Sequence, residues 1–358
     1  MRGTLGGAME SLSFLADGLA RKGHRVYLLC RKDSLLHKKM ENIWDTQVRL
    51  VSIGKERWWN FGLIQKIARL IRDRQIEIVN AQEGYSLRLI ILIKICYRIH
   101  AILLDTRRHI PRNPIWKTWF YTRWIDHHIG VSKEVKEVLV RKKYPPHKIE
   151  VILNGTPPEK YQIPKKEIDL ESLRKKHNLK KQTPILGCVA VMKEQMQILK
   201  ALPYFPDEVV LIFVGISETP SLKKLCHQAS KGKRVIYVGP VSNPETLRYL
   251  CLFDVKILAS TGEGLSQALL ESMALGTPVV ATDQAGNRSL IRHGENGLLF
   301  PNDDHKTMAK QVNQLLSDTS FRKRIIQAGK KTALIDFSVE KTLSAHETLF
   351  KRLIQKRG

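Results

Sequence analysis

A chain of 358 residues is longer than one hydrophobic core usually spans, so two domains are expected. Its 43% apolar and 26% charged content excludes a disordered chain, and its five cysteines form no CxxC pair, which excludes a zinc ribbon or a disulfide scaffold and fits a reducing compartment. The net charge of +26 favours a polyanionic partner such as an acidic membrane surface or a phosphorylated substrate, though solvated Lys/Arg faces would give the same balance.

The first residues, Met-Arg-Gly-Thr-Leu-Gly-Gly, hold no apolar core of a signal peptide. MESLSFLADGLARKG follows, with Leu12, Leu15 and Leu19 at helical spacing and Gly23 as a stop. Candidate strands come next at Val26–Cys30, Val48–Ile53, Ile76–Asn80, Ala101–Asp105, His127–Ser132 and Ile149–Leu153, separated by helical patterns such as FGLIQKIARLIRDR. The most apolar stretch, residues 87–104, is broken by Lys94, Arg98 and His100, so it reads as a buried helix running into a strand and not as a bilayer span.

From Asn154 to about Thr183, prolines and charges mark a linker with room for one short helix. A second series of strands follows: ILGCVAV, VVLIFVG, RVIYVG, VKILAS, PVVAT and GLLF. A final amphipathic run, Val339 to Ile354, has no strand after it. Alternating strands and helices on both sides of one linker predict two open α/β domains, with ligands at the carboxyl ends of the strands.

GEGLSQALLESMALGTPVVAT, Gly262 to Thr282, places two carboxylates beside glycines in a basic protein. Gly262 and Gly264 allow a sharp turn after VKILAS and leave amides uncovered. A helix beginning near Leu265 or Ser266 then points its free N–H groups at the strand ends, an arrangement that binds phosphate. Eight residues at about 100° each come to about 800°, so Glu263 and Glu271 do not share a helix face. Glu263 falls in the loop and Glu271 roughly two turns into the helix. Spacing alone leaves open a plain helix whose early carboxylates complement its dipole.

EGLSQALLESMALGTPVVAT with DQAGNRSLIRHGENGLLF resembles the signature of glycosyltransferase family 4, the retaining GT-B enzymes that use nucleotide-sugar donors. Ser272 stands where the pattern has alanine. TLGGAMESLSFLADGLARKGHRVYLL is similar to the family's glycine loop and first helix, DHHIGVSKEV to its Val-Ser strand, and KIEVILNGT to its Asn-Gly segment. TRRHI resembles its Thr-x-His segment, with His109 offset by one residue.

The resemblance implies α/β architecture of GT-B type, two Rossmann-like domains facing a central cleft. Residues 1–155 would form the acceptor-side domain, 156–183 the linker and 184–336 the nucleotide-sugar domain, and residues 337–358 a C-terminal helix free to pack back on the first domain. It assigns Glu263, His109 and Lys193 to catalysis, with Glu263 on the donor sugar. Gly6, Gly7, Gly264, Leu265, Ser266 and Glu271 would bind the donor, the last through its ribose. No Asp-x-Asp triplet is present to hold a divalent ion, so no metal or other cofactor is expected. Two departures stand out. The family's usual phosphate lysine falls on Met196 or a short deletion, which Lys200 offsets only if it lies near the helix start. The strand that usually precedes the glycine loop is missing, and it would be central in the first sheet.

Aromatic residues interleave with cations in RWWNFG, Arg57–Gly62, and in residues 108–124, where Arg112, Lys117 and Arg123 fall. Such stretches suit an anionic membrane, a sugar or an acidic acceptor, or the packing of the neighbouring helices. No nucleic-acid module is recognisable. The expectation is a cytoplasmic enzyme, peripheral on the membrane, that transfers sugar from a UDP-, GDP- or ADP-sugar to a lipid-linked or phosphorylated envelope glycan such as lipopolysaccharide. The alternatives are a catalytically impaired GT-B scaffold docked as a partner subunit and a charge-driven polyanion binder.

Overall fold

The structure is a computed structural model. It describes residues 7–41, 47–54, 57–108, 115–155, 157–161, 168–190, 196–230, 232–260 and 265–357. The chain divides into two compact units, residues 1–155 with 339–358 and residues 156–338.

The first unit alternates helices and strands: α1 (Gly7–Arg21), β1 (Tyr27–Arg31), α2 (Leu35–Glu41), β2 (Arg49–Ile53), α3 (Phe61–Asp73), β3 (Ile78–Ala81) and α4 (Gly84–Tyr97). It continues with β4 (Ile102–Arg107), α5 (Ile115–Trp124), β5 (His127–Gly130), α6 (Lys133–Arg141) and β6 (Ile149–Val151). All strand pairs are parallel, and they form two pieces, β1-β2 and β3-β4-β5-β6. Among the described residues no strand joins β1 to β3. The apolar stripe of α3 (Leu63, Ile64, Ile67, Ile71) and the buried face of α4 pack over Leu29, Ile53 and Val79, so one apolar cluster draws on strands from both pieces.

The strand expected to run to Ser132 stops at Gly130. Ser132 instead caps α6, its Oγ accepting from Val135 N at 3.2 Å, a role that hydroxyl residues favour over strand positions. The last helix, residues 339–355, belongs to this unit, where its Leu343 packs with Leu15 and Leu19 of α1.

The second unit opens with a 3-10 turn, Pro158–Tyr161, and α7 (Leu170–Lys176), both within the stretch read as a linker. Asp169 caps α7 by accepting from Ser172 N, and Leu173 anchors it. Then come β7 (Ile185–Val189), α8 (Met196–Ala201), β8 (Val210–Val214), α9 (Pro220–Ala229), β9 (Arg234–Gly239), α10 (Asn243–Leu252), β10 (Val255–Leu258) and α11 (Gln267–Leu275). The unit ends with β11 (Val279–Thr282), α12 (Ala285–Arg288), β12 (Leu298–Phe300), α13 (His305–Ser317) and α14 (Thr319–Lys331), and α15 (Val339–Gln355) follows in the first unit.

Its six parallel strands run in the order β12-β11-β10-β7-β8-β9. This is the doubly wound Rossmann order, and the reversal of direction falls between β7 and β10, where such sheets bind ligands beyond the strand ends. β8, β10 and β11 are buried along their whole length, including Lys256 of β10 and Thr282 of β11, as expected where helices cover both faces of a parallel sheet. No helix among the described residues is long and apolar enough to cross a membrane.

Candidate active site

β10 ends at the switch point and runs on through Ala259 and Ser260, both buried. Thr261, Gly262, Glu263 and Gly264 lie outside the described residues, so the two site residues expected there, Glu263 and Gly264, are not placed. The helix starts one or two residues later than expected: Ser266 is the N-cap and Gln267 the first residue of α11. Ser266 is buried at 4% exposure and makes no side-chain cap bond, which leaves the first amides of α11 without the partner a capping serine supplies. Leu265 precedes it and is half-buried.

Glu271 is therefore the fifth residue of α11, little more than one turn in, where the sequence suggested two. The helix is buried on nearly every side, through Leu269, Leu270, Ser272, Met273 and Ala274. A carboxylate in such surroundings needs a partner. Lys160, on the 3-10 turn, supplies it: its Nζ donates to Glu271 Oε1 at 2.8 Å. Nothing in the sequence pairs residues 111 positions apart, and the prolines and charges around Lys160 mark only a linker. Ser272, in place of alanine, is satisfied by its own helix, with Oγ donating to Ala268 O at 2.6 Å.

The end of α11 explains the Leu-Gly-Thr-Pro that closes the segment. Gly276 takes the left-handed conformation (φ 85°), and its N–H reaches back to the carbonyls of Ser272 and Met273. Thr277 N follows to Ser272 O, and its Oγ donates to Leu250 O, fixing the helix to α10 before Pro278 leads into β11. The downstream His-Gly-Glu-Asn-Gly turn is a buttress for this layer. Asn296, 1% exposed, donates to Leu290 O and Thr332 Oγ and accepts from Arg292 N, while Leu299 N donates to His293 Nδ1.

Lys193 lies outside the described residues. Met196 is the first residue of α8 and 43% exposed, and Lys200 falls in the last turn of that helix. Lys200 is thus not at the helix start and does not take the place of the missing lysine there.

In the first unit, Gly7 opens α1, while Gly6 and His109 lie outside the described residues. The residue before His109 is informative. Arg108 is 8% exposed, and burial pushes its guanidinium down to about 10. Its only described partners are neutral: Nη1 donates to Asn154 Oδ1 at 3.1 Å and Nη2 to Gln82 Oε1 at 2.9 Å. Thr106 Oγ donates to Asn80 Oδ1, so polar side chains knit the ends of β3 and β4 to the Asn-Gly segment after β6. A small cavity here is lined by Arg108, Thr106, Asn154 and His346 of α15.

On the other face of β4 is a buried cluster, with Asp105 Oδ2 2.6 Å from Arg107 Nε and 3.1 Å from His128 Nδ1. Among the described residues, no group of three or more His, Cys, Asp or Glu is placed to hold a metal ion.

The aromatic stretches divide between packing and exposure. Trp58 packs against the α3/α4 cluster with Arg88 over its ring, and Tyr121 is buried. Trp59 (with Arg57 over it), Phe61, Trp119 and Phe120 are exposed.

Residues 5–160 match the family described as Glycosyltransferase Family 4, and residues 169–332 match Glycosyl transferases group 1. The chain belongs to this glycosyltransferase family. A putative glycosyltransferase, EpsD, of Bacillus subtilis is 31% identical over 48% of the chain and 46% of its own length. The lipopolysaccharide core biosynthesis glycosyltransferase LpsE of Rhizobium meliloti is 31% identical over 42% of the chain and 43% of its own length. These matches thus span about half the length of those relatives. The alpha-monoglucosyldiacylglycerol synthase of Streptococcus pneumoniae is 23% identical over 98% of the chain and 88% of its own length. Among solved structures, Anabaena HepE in complex with UDP aligns with a TM-score of 0.82 at 19% identity, covering 97% of each chain. The fold is GT-B, built from two Rossmann-like units.

Proposed function

We propose that this member of the family transfers a glycosyl unit from a nucleotide sugar to a lipid-linked or phosphorylated cell-envelope glycan, with retention at the anomeric carbon and without a metal ion. The observation that carries the reading is Glu271: a buried carboxylate on a helix whose N-cap serine makes no side-chain cap bond, just past the switch point of the second sheet. Glu271 accepts hydrogen bonds from the ribose hydroxyls, and the amides of Gly264, Leu265 and Ser266, with Gly6 and Gly7, receive the diphosphate. Glu263 contacts the donor sugar, His109 lines its site and Lys193 faces the leaving group. In the reaction the bond from C1 to the β-phosphate oxygen breaks, and the acceptor oxygen bonds C1 on the same face. The acceptor's proton leaves with the nucleoside diphosphate, whose growing charge needs preorganised donors.

HepE is solved with UDP and with UDP-glucose, which supports a nucleotide-sugar donor. The lipopolysaccharide and glycolipid relatives support an envelope acceptor. The charge of +26 and the exposed Trp59, Phe61, Trp119 and Phe120 support docking on the anionic cytoplasmic face of a membrane. Calorimetry with UDP, GDP and ADP tests the donor site: the wild type binds at least one of them, and Glu271→Ala binds none. Unchanged affinity in Glu271→Ala rejects the ribose assignment. A scaffold without activity is a second reading, drawn from Met196 at the start of α8, and donor hydrolysis or transfer by the full-length protein excludes it.

A further inference from the structure

We propose that Lys160 is a positioning residue for the donor's ribose, holding one oxygen of Glu271 and neutralising the carboxylate so that the other oxygen is presented to the ribose hydroxyls. This rests on the assignment of Glu271 to the ribose. The two side chains are 15% and 6% exposed, so the ion pair is largely withdrawn from water, where such a pair is strong and the loss of one partner leaves a costly lone charge. Only Oε1 of Glu271 is engaged, and Oε2 accepts no hydrogen bond from any described residue. A carboxylate offers about four lone-pair directions, so the pair with Lys160 leaves capacity for two vicinal hydroxyls.

The lysine is itself held in place. It sits on a one-turn 3-10 helix anchored by Tyr161, 9% exposed, whose ring centroid is 5.8 Å from Nζ. Its attachment matters for charge as well as for geometry. The diphosphate of a nucleotide brings negative charge towards the start of α11, little more than one turn from Glu271. An unpaired carboxylate would repel that charge through the weakly screened interior, whereas the pair is neutral. The 3-10 turn begins three residues after the first unit ends at Gly155. The same segment that leaves the first unit therefore fixes the carboxylate of the donor site.

A merely structural ion pair would lower stability and leave ribose recognition alone, so the test reads discrimination between sugars. Full-length wild type, Lys160→Met, Lys160→Arg and Glu271→Gln are titrated with UDP, GDP and ADP and with their 2′-deoxy counterparts. The wild type prefers the ribonucleotide. Lys160→Met binds it roughly 10- to 100-fold more weakly, as expected for a charge-assisted hydrogen bond, and loses most of the ribose preference. Lys160→Arg restores much of both. A Lys160→Met protein that keeps the wild-type preference overturns the proposal, whatever its thermal midpoint. If that variant does not fold, Lys160→Gln takes its place, with the same two outcomes. Unchanged ribonucleotide affinity in Glu271→Gln instead removes the underlying ribose assignment, so the two failures are told apart.

Discussion

The ring of Phe253 lies directly on the α-carbon of Gly187, so close that a β-carbon there would stand 1.9 Å from Cδ2. Gly187 is in β7, paired in register with Lys256 of β10, and Phe253 is the C-cap of α10, only 4% exposed. The contact brings the two strands of the switch point together beneath the candidate donor site. Because Phe253 has no open space to retreat into, Gly187→Ala forces strand or helix to shift. A loss of about 3 kcal/mol is expected, at the upper end for overpacked cores. Urea unfolding checks this, with a lowered midpoint at an unchanged slope.

Two buried polar residues near α11 should behave in opposite ways. Asn296 makes three hydrogen bonds that tie the glycine turn to α14 and its extension, so Asn296→Ala leaves buried donors and acceptors unpaired. It should cost about 2–4 kcal/mol. Ser272 bonds only a carbonyl of its own helix, and Ser272→Ala should cost less than about 1 kcal/mol and leave nucleotide affinity intact. Thermal melts and calorimetry on the two variants separate the buttress from the site.

This contrast shows what the sequence could and could not convey. The strands were legible because both faces of a parallel sheet are covered, so β8 reads as an unbroken apolar run and β10 and β11 as apolar runs with one polar residue each, Lys256 and Thr282. The closing Gly276 was legible because a helix end imposes local spacing, whereas the role proposed for Glu271 comes from the family resemblance and not from spacing. Lys160 was not, because an ion pair between distant segments leaves no local periodicity, and the prolines around it read as linker composition. The start of α11 was misplaced by one or two residues, since glycines mark where a chain can turn and not where hydrogen bonding begins. Ser132 shifted from strand to cap for a similar reason: the hydroxyl competes for backbone amides.

Acid should weaken the first unit through His346. The ring is 3% exposed, and its Nδ1–H donates to Thr342 O at 2.8 Å. Burial, with a smaller contribution from the nearby Arg108 charge, pushes its pKa down to about 4, against 6.5 for an ordinary histidine. Between these values the unfolded chain binds a proton that the folded chain refuses. The stabilisation is therefore complete above pH 6.5 and is lost as the pH falls towards 4, by roughly 3 kcal/mol. His127, held down to about 4 chiefly by burial, acts in the same direction. Urea midpoints measured from pH 7.5 to 4 should fall steeply, and His346→Gln should flatten the curve. A variant with the wild-type slope would assign the acid sensitivity elsewhere.

Membrane docking makes the most direct use of the exposed aromatics. Phe61 is 82% exposed and Trp119 72%, in a unit whose first 155 residues carry a surplus of cations. Exposed rings insert at the headgroup level, and each Lys or Arg near an anionic surface adds about 1 kcal/mol, an attraction that salt screens. Neither contribution needs a membrane-spanning helix. Co-sedimentation with vesicles of phosphatidylglycerol and phosphatidylcholine should show binding that weakens from 50 to 500 mM salt, over which the Debye length shrinks about threefold, and that keeps a salt-resistant remainder a charge-only interaction would lack. Phe61→Ser with Trp119→Ser should lower the salt-resistant part and spare the salt-sensitive part. Equal binding to purely zwitterionic vesicles, or no change in the double variant, would mean that these rings face something other than an anionic bilayer.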